Sequence, residues 1–107
     1  LTLVEPYDSR AIIAATGTIA LEIFESLGTD AALELYVPVS GGGLLAGIAT
    51  AARLGARNVR VIGVEPDVAA DALASRRAGA RVRLPAEQMA RTLADGLRVQ
   101  IVGALNW

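Results

Sequence analysis

The chain has 107 residues, of which 53% are hydrophobic, 20% charged and 4% aromatic, with a net charge of −1. That length fits one aliphatic-cored domain at most, the apolar content excludes a disordered chain, and the charge balance excludes a nucleic-acid surface built on many uncompensated cations. Cys, His and Lys are all absent and the ten basic residues are all Arg, which excludes thiolate metal sites, a serine–histidine triad and a Schiff-base lysine within these residues.

No run approaches the ~18 apolar residues of a membrane span, and the apolar N-terminus has no basic leader of a secretory signal. The chain begins at Leu1 and stops at Trp107 without a capping signal, so a piece of a larger polypeptide is expected. No linker or repeat is visible, and residues 1–107 are read as a single partial domain without an internal boundary.

Thr2–Val4 is β-prone and closes at Glu5-Pro6. Asp8-Ser9 supplies a helix N-cap. From Ala11 to Leu27, Ile12, Ile13, Ile19, Ala20, Ile23, Phe24 and Leu27 recur at helical spacing. Gly17 is expected to interrupt this helix, with Thr16 or Thr18 capping the second part and Gly28 ending it. Leu33–Val39 reads as a strand, with Pro38 best placed at its end because it removes a ladder donor. Leu44–Leu54 is a helix apolar on nearly every side, closed by Gly55, and Asn58 turns the chain. Val59–Val64 is a second apolar strand, suited to a sheet covered on both faces. Strand, helix and strand have the size of a βαβ crossover. Val68–Ala78 is predicted helical and Arg81–Leu84 a short strand or extended turn. Pro85 opens a helix to about Leu93, and Asp95-Gly96 turns into the tail. The fold class is α/β: three layers, a mostly parallel sheet with helices on both faces.

Ser40-Gly41-Gly42-Gly43 stands between the first strand and the apolar helix. Glycines let the backbone approach a ligand closely, and the unsatisfied N–H groups of a helix start attract an anion. The plain alternative is a loop that only turns tightly. A Walker A loop is excluded because it needs Lys. A dinucleotide fingerprint stays open, with Gly41, Gly43 and Ala46 matching G-x-G-x-x-A and Glu65 following about 20 residues later. Glu65, Asp67 and Asp71 lie close together after the second strand. They suit either a helix N-terminus or a hard cation held by oxygen ligands.

Several blocks in order carry a resemblance: Gly17–Ile23, Val37–Ala49, Val61–Pro66, Ala94–Arg98 and Val102–Asn106. Together they resemble the threonine dehydratase and serine racemase family, fold-type II pyridoxal-phosphate enzymes. The resemblance implies that Ser40, Gly41, Gly42, Gly43 and Leu44 hold the cofactor phosphate through backbone amides and that Gly96 lies beside the cofactor ring. It also implies a divalent-cation site, Mg²⁺ or Ca²⁺, at Glu65, the Ala69 carbonyl and Asp71. The whole protein is then expected to be an ammonia-lyase deaminating L-threonine or L-serine, with serine racemase activity as the alternative. Amino-acid substrates, a homo-oligomer and a cytoplasmic location are expected with it. The family's Schiff-base lysine lies outside these residues, so no catalytic residue is assigned and the chain alone is expected to be inactive. Two departures stand out: Thr16, where the family commonly has Gln, and Ala104, where Glu is usual. Neither is expected to touch the phosphate loop.

Overall fold

In the computed structural model, which describes residues 1–27, 32–55 and 58–107, the first ordered feature is a helix cap. Ser9 Oγ accepts the N–H of Ile12 at 3.2 Å, satisfying one orphan donor of a helix start. Helix α1 then runs unbroken from Arg10 to Leu27. Gly17 does not interrupt it, because the residue is buried where α1 crosses α2 (Gly43–Leu54). A Cβ on Gly17 would sit 3.1 Å from the Gly47 carbonyl oxygen, and one on Gly47 would run into Thr16 Oγ1 and the Ile13 carbonyl. Close helix packing outweighs the ~1 kcal/mol that glycine costs in a helix interior. Thr16 and Thr18 cap nothing: the Thr18 hydroxyl donates to the Ala15 carbonyl in the preceding turn, and the one proton of the Thr16 hydroxyl is shared among the Ile12, Ile13 and Gly43 carbonyls at 2.9, 3.1 and 3.0 Å. The expected stop at Gly28 lies outside the described residues.

Strands β1 (Leu33–Pro38) and β2 (Val59–Val64) flank α2 in the chain and pair in parallel, from Leu33 opposite Val59 to Pro38 opposite Val64. Pro38 closes its strand as expected. Leu33, Leu35 and Val37 alternate with exposed Glu34, Tyr36 and Pro38, the period-two pattern of a sheet with one face filled. That face meets a core of Ala20, Phe24, Val37, Ile48, Ala51 and Ala52. Ile19 and Leu27, expected inside, are half exposed. The α/β class with a parallel sheet and helices stands. Of the two helical layers expected, these residues supply the α1/α2 layer, and the opposite sheet face carries the exposed Arg60–Glu34 ion pair at 3.0 Å.

The chain departs from the sequence expectation in three further places, two of them beyond β2. The helix expected over Val68–Ala78 is split into a 3₁₀ turn, Asp67–Ala69, and helix α3, Asp71–Ala78. The reason is Glu65: its two carboxylate oxygens accept the N–H groups of Ala72 and Leu73, each at 2.9 Å, and start a new helix. Helix α4 covers only Ala86–Met89. Thr2–Val4 forms no strand, and Arg81–Leu84 is extended without a ladder, tied by Leu84 N–H to the Gln100 carbonyl at 2.9 Å. Gly79 ends α3 in the left-handed conformation at φ 67°, as a C-terminal glycine should. A second 3₁₀ turn, Asp95–Leu97, leads into the tail.

Candidate cofactor-phosphate site

At the C-terminal edge of the sheet the parallel pairing carries one residue past β1, with Val39 N–H on the Val64 carbonyl at 2.9 Å. The chain then bends through Ser40–Gly42 into α2. Gly42 has φ 93°, a left-handed conformation that favours glycine, and stands at the helix N-cap. The first bond of this helix start runs from Ala46 N–H to the Gly42 carbonyl at 2.9 Å. No described residue accepts the N–H groups of Gly41, Gly42, Gly43, Leu44 or Leu45. Unpaired donors at the positive end of a helix dipole are what a phosphate recruits.

The carbonyls of the bend are, by contrast, occupied. Gly41 O accepts Gly103 N–H at 2.9 Å and Asn106 Nδ2 at 2.7 Å. Gly43 O accepts the Thr16 hydroxyl at 3.0 Å. This corrects the expectation that Thr16 would not touch the loop: it braces the loop from α1. Ala104 is tied in through its backbone, its N–H donating to Asp8 Oδ2 at 2.9 Å.

The glycines are sterically required. A Cβ on Gly41 would enter the Tyr7 ring, and one on Gly42 would lie 2.9 Å from Asn106 Cβ and 3.0 Å from Val102 Cγ2. A cleft of about 670 Å³ lies beside the bend, lined by Gly42, Leu45, Gly63, Glu65 and Val102 among others, a volume within the range of small-molecule sites. Donors without acceptors, glycines packed too closely to their neighbours to take a Cβ and an adjoining cleft fit a phosphorylated cofactor.

Of the remaining expected residues, Ser40 stands in this bend and Glu65 lines the same cleft. The Ser40 hydroxyl accepts Val99 N–H at 3.3 Å, so it holds the tail segment. Gly96 lies exposed in the second 3₁₀ turn, with nothing within 4 Å of where a Cβ would stand. Glu65, Ala69 and Asp71 gather at the start of α3. Asp71 is fully buried, and neither carboxylate oxygen has a hydrogen-bond partner. Burial, and secondarily the charge of Glu65, push its pKa up to about 6; the nearby N–H groups of Asp71 and Val102 pull it down by less, without reaching hydrogen-bond geometry. Among the described residues no three His, Cys, Asp or Glu side chains converge on a metal position.

The roles that the sequence did not show are those of Tyr7, Asp8, Thr16, Gly103 and Asn106 toward the bend and the tail, because their partners are remote in the chain.

The whole chain, residues 1–107, matches the family described as pyridoxal-phosphate dependent enzyme. It is 43% identical over 105 residues to a serine racemase of Arabidopsis thaliana, covering 98% of this chain and 30% of that protein. It is 43% identical over 106 residues to the biosynthetic L-threonine dehydratase of Mycobacterium leprae, covering 99% of this chain and 24% of that one. Among solved structures, maize serine racemase superposes with a TM-score of 0.87 at 37% identity, over 99% of this chain and 31% of the other. The processed threonine deaminase isoform 2 of Solanum lycopersicum gives 0.87 at 40%, over 99% and 28%. The chain thus spans 24% to 31% of the length of these relatives. The dinucleotide alternative gives way to a family match that covers the whole chain. Fold, donor-lined bend and relatives agree, and this chain belongs to the pyridoxal-phosphate dependent enzymes.

Proposed function

We propose that the protein containing this chain is an ammonia-lyase that converts L-threonine or L-serine to a 2-oxo acid and ammonia, and that these residues anchor its cofactor phosphate. The observation that carries the reading is the set of unpaired N–H groups from Gly41 to Leu45, in a chain whose relatives include L-threonine dehydratases. When bound, pyridoxal phosphate supplies an electron sink for charge developing at the substrate Cα. The bend would hold the phosphate through the N–H groups of Gly41 to Leu45, and Gly96, with open space where a Cβ would stand, would leave room for the ring. Covalent attachment and proton transfer at Cα belong to residues outside these 107, because no Lys is present.

Serine racemase activity is the second reading, favoured by the similarity to the racemases of Arabidopsis and maize. One assay separates the two: the full-length protein with pyridoxal phosphate is given L-threonine and L-serine, and 2-oxo acid and D-serine are measured together. Rapid 2-oxo acid formation from both substrates is expected. D-serine as the dominant product moves the assignment to the racemase, and neither product removes both.

The start of α3 completes the proposal. The two orphaned oxygens of Asp71, the Glu65 carboxylate and the Ala69 carbonyl, which receives no described N–H, form an oxygen donor set suited to Mg²⁺ or Ca²⁺. The homo-oligomer and the cytoplasmic location rest on the family resemblance alone. No helix among the described residues is long and apolar enough to cross a membrane.

A further inference from the structure

A run of three glycines has no Cβ to hold its peptide planes, so each plane turns freely unless something outside the run fixes it. In a planar trans peptide the C=O of one residue and the N–H of the next point in opposite directions. Fixing the Gly41 carbonyl therefore aims the Gly42 N–H. Two donors fix it, Gly103 N–H at 2.9 Å and Asn106 Nδ2 at 2.7 Å. The same carboxamide donates to the Tyr7 carbonyl at 3.1 Å, and the Tyr7 ring lies against Gly41. The orientation of this carboxamide is set by its neighbours: both are carbonyl oxygens, so only the NH₂ end satisfies them. Its other end, Oδ1, is buried without a partner, a local violation that marks the side chain as held for its donors.

The tail that presents Asn106 is itself stapled. Asp8 accepts Ala104 N–H at 2.9 Å and Leu105 N–H at 2.8 Å. Gly103 admits this approach, since a Cβ there would stand 2.6 Å from both Asn106 Nδ2 and Asp8 Oδ1.

We infer that Asn106 is a positioning residue for the cofactor phosphate: it locks the Gly41–Gly42 peptide so that the Gly42 N–H faces the anion. This rests on the phosphate reading of the bend and adds to it a residue 65 positions away in the chain. Asn106 touches neither cofactor nor substrate in this role and acts only through the peptide plane.

The test uses the full-length protein without cofactor and two probes, pyridoxal phosphate and pyridoxal, which lacks the phosphate. Dissociation constants come from the visible absorbance of the bound probe, and the fold of each variant from thermal melting. The wild type should prefer pyridoxal phosphate strongly. In Asn106→Ala the preference should fall about tenfold or more, the scale of one misdirected charge-assisted hydrogen bond, with pyridoxal binding unchanged. A purely structural role would weaken both probes alike. An unchanged preference in a folded Asn106→Ala protein overturns the inference while leaving the phosphate reading intact. A wild type that binds the two probes equally overturns that reading and this inference with it. Should Asn106→Ala not fold, Asn106→Asp, which keeps the size and replaces the donor, decides by the same ratio. If neither variant folds, Asn106 is a folding residue and the proposal fails.

Discussion

The start of α2 and the start of α3 lie at the same edge of the sheet and end in opposite chemical states. At α2 the carbonyls of the bend are taken up by Gly103, Asn106 and Thr16, and the N–H groups from Gly41 to Leu45 are left over. At α3 the N–H groups of Ala72 and Leu73 are taken up by Glu65, and the carboxylate oxygens of Asp71 are left over. One helix start keeps a surplus of donors, the other a surplus of buried acceptors. The contrast shows that a helix N-terminus has no fixed ligand preference. What the neighbouring side chains consume decides which sign remains.

Breaking the donor side should have the largest effect. Gly42→Val puts a β-branched residue at φ 93°, against Asn106 and Val102. Strain of roughly 1–3 kcal/mol plus displacement of the bend should lower cofactor retention about 10- to 100-fold, read as cofactor content after gel filtration. Any response of the protein to Mg²⁺ or Ca²⁺ should persist in this variant, because the α3 side is untouched. Breaking the acceptor side is next. With a divalent cation at about 100 times its dissociation constant, the wild type should gain roughly 2.7 kcal/mol, seen as a raised melting temperature. Asp71→Asn should abolish that gain and leave phosphate affinity unchanged. A gain that survives the substitution would separate Asp71 from any cation.

Smaller effects sharpen the comparison. Thr16→Val keeps the shape on α1 but removes the hydroxyl from Gly43 O. It should lower stability by about 1 kcal/mol and cofactor affinity about fivefold, whereas equal loss of pyridoxal and pyridoxal phosphate binding would assign Thr16 to packing alone. The smallest effect is a pH dependence with opposite signs at two carboxylates. The Leu105 and Ala104 N–H groups hold the Asp8 carboxyl below its usual range. The native state then binds fewer protons than the unfolded one, so this contribution is present above pH ~4 and lost as pH falls through the native value. Asp8→Asn should flatten that acid limb in a melting-temperature series. Asp71, raised to about 6, acts in the other sense in the cation-free protein. Its protonated form is favoured in the native state, so its contribution is complete below pH ~4 and is lost as pH rises past 6. A limb between these pH values that survives in Asp71→Asn would assign it to another group.

The parts of the fold that were legible beforehand are those decided by neighbours in the chain. The strands and α2 fall within one residue of expectation, because alternation, apolar periodicity and the punctuation by Pro38 and Gly55 are local signals. Gly17 and the Val68–Ala78 segment were misjudged for one shared reason. Gly17 is kept helical by α2 across the interface, and the later helix is restarted by Glu65 from seven residues back. The site divides in the same way. Ser40 to Leu44 stood out as a strand–glycine–helix junction. The long-range contacts of Thr16, Asp8 and Asn106 did not, because their partners are 27, 96 and 65 residues away.

Composition and local pattern alone determined that these residues hold no lysine or histidine chemistry, that a parallel strand–helix–strand unit forms, and that a glycine-rich bend with a helix start stands at Ser40–Gly43. Only the tertiary structure decided which of those donors stay unpaired. Glycine leaves its peptide planes free, and the groups that turn them, a hydroxyl from α1 and a carboxamide from the tail, arrive only once the chain has folded.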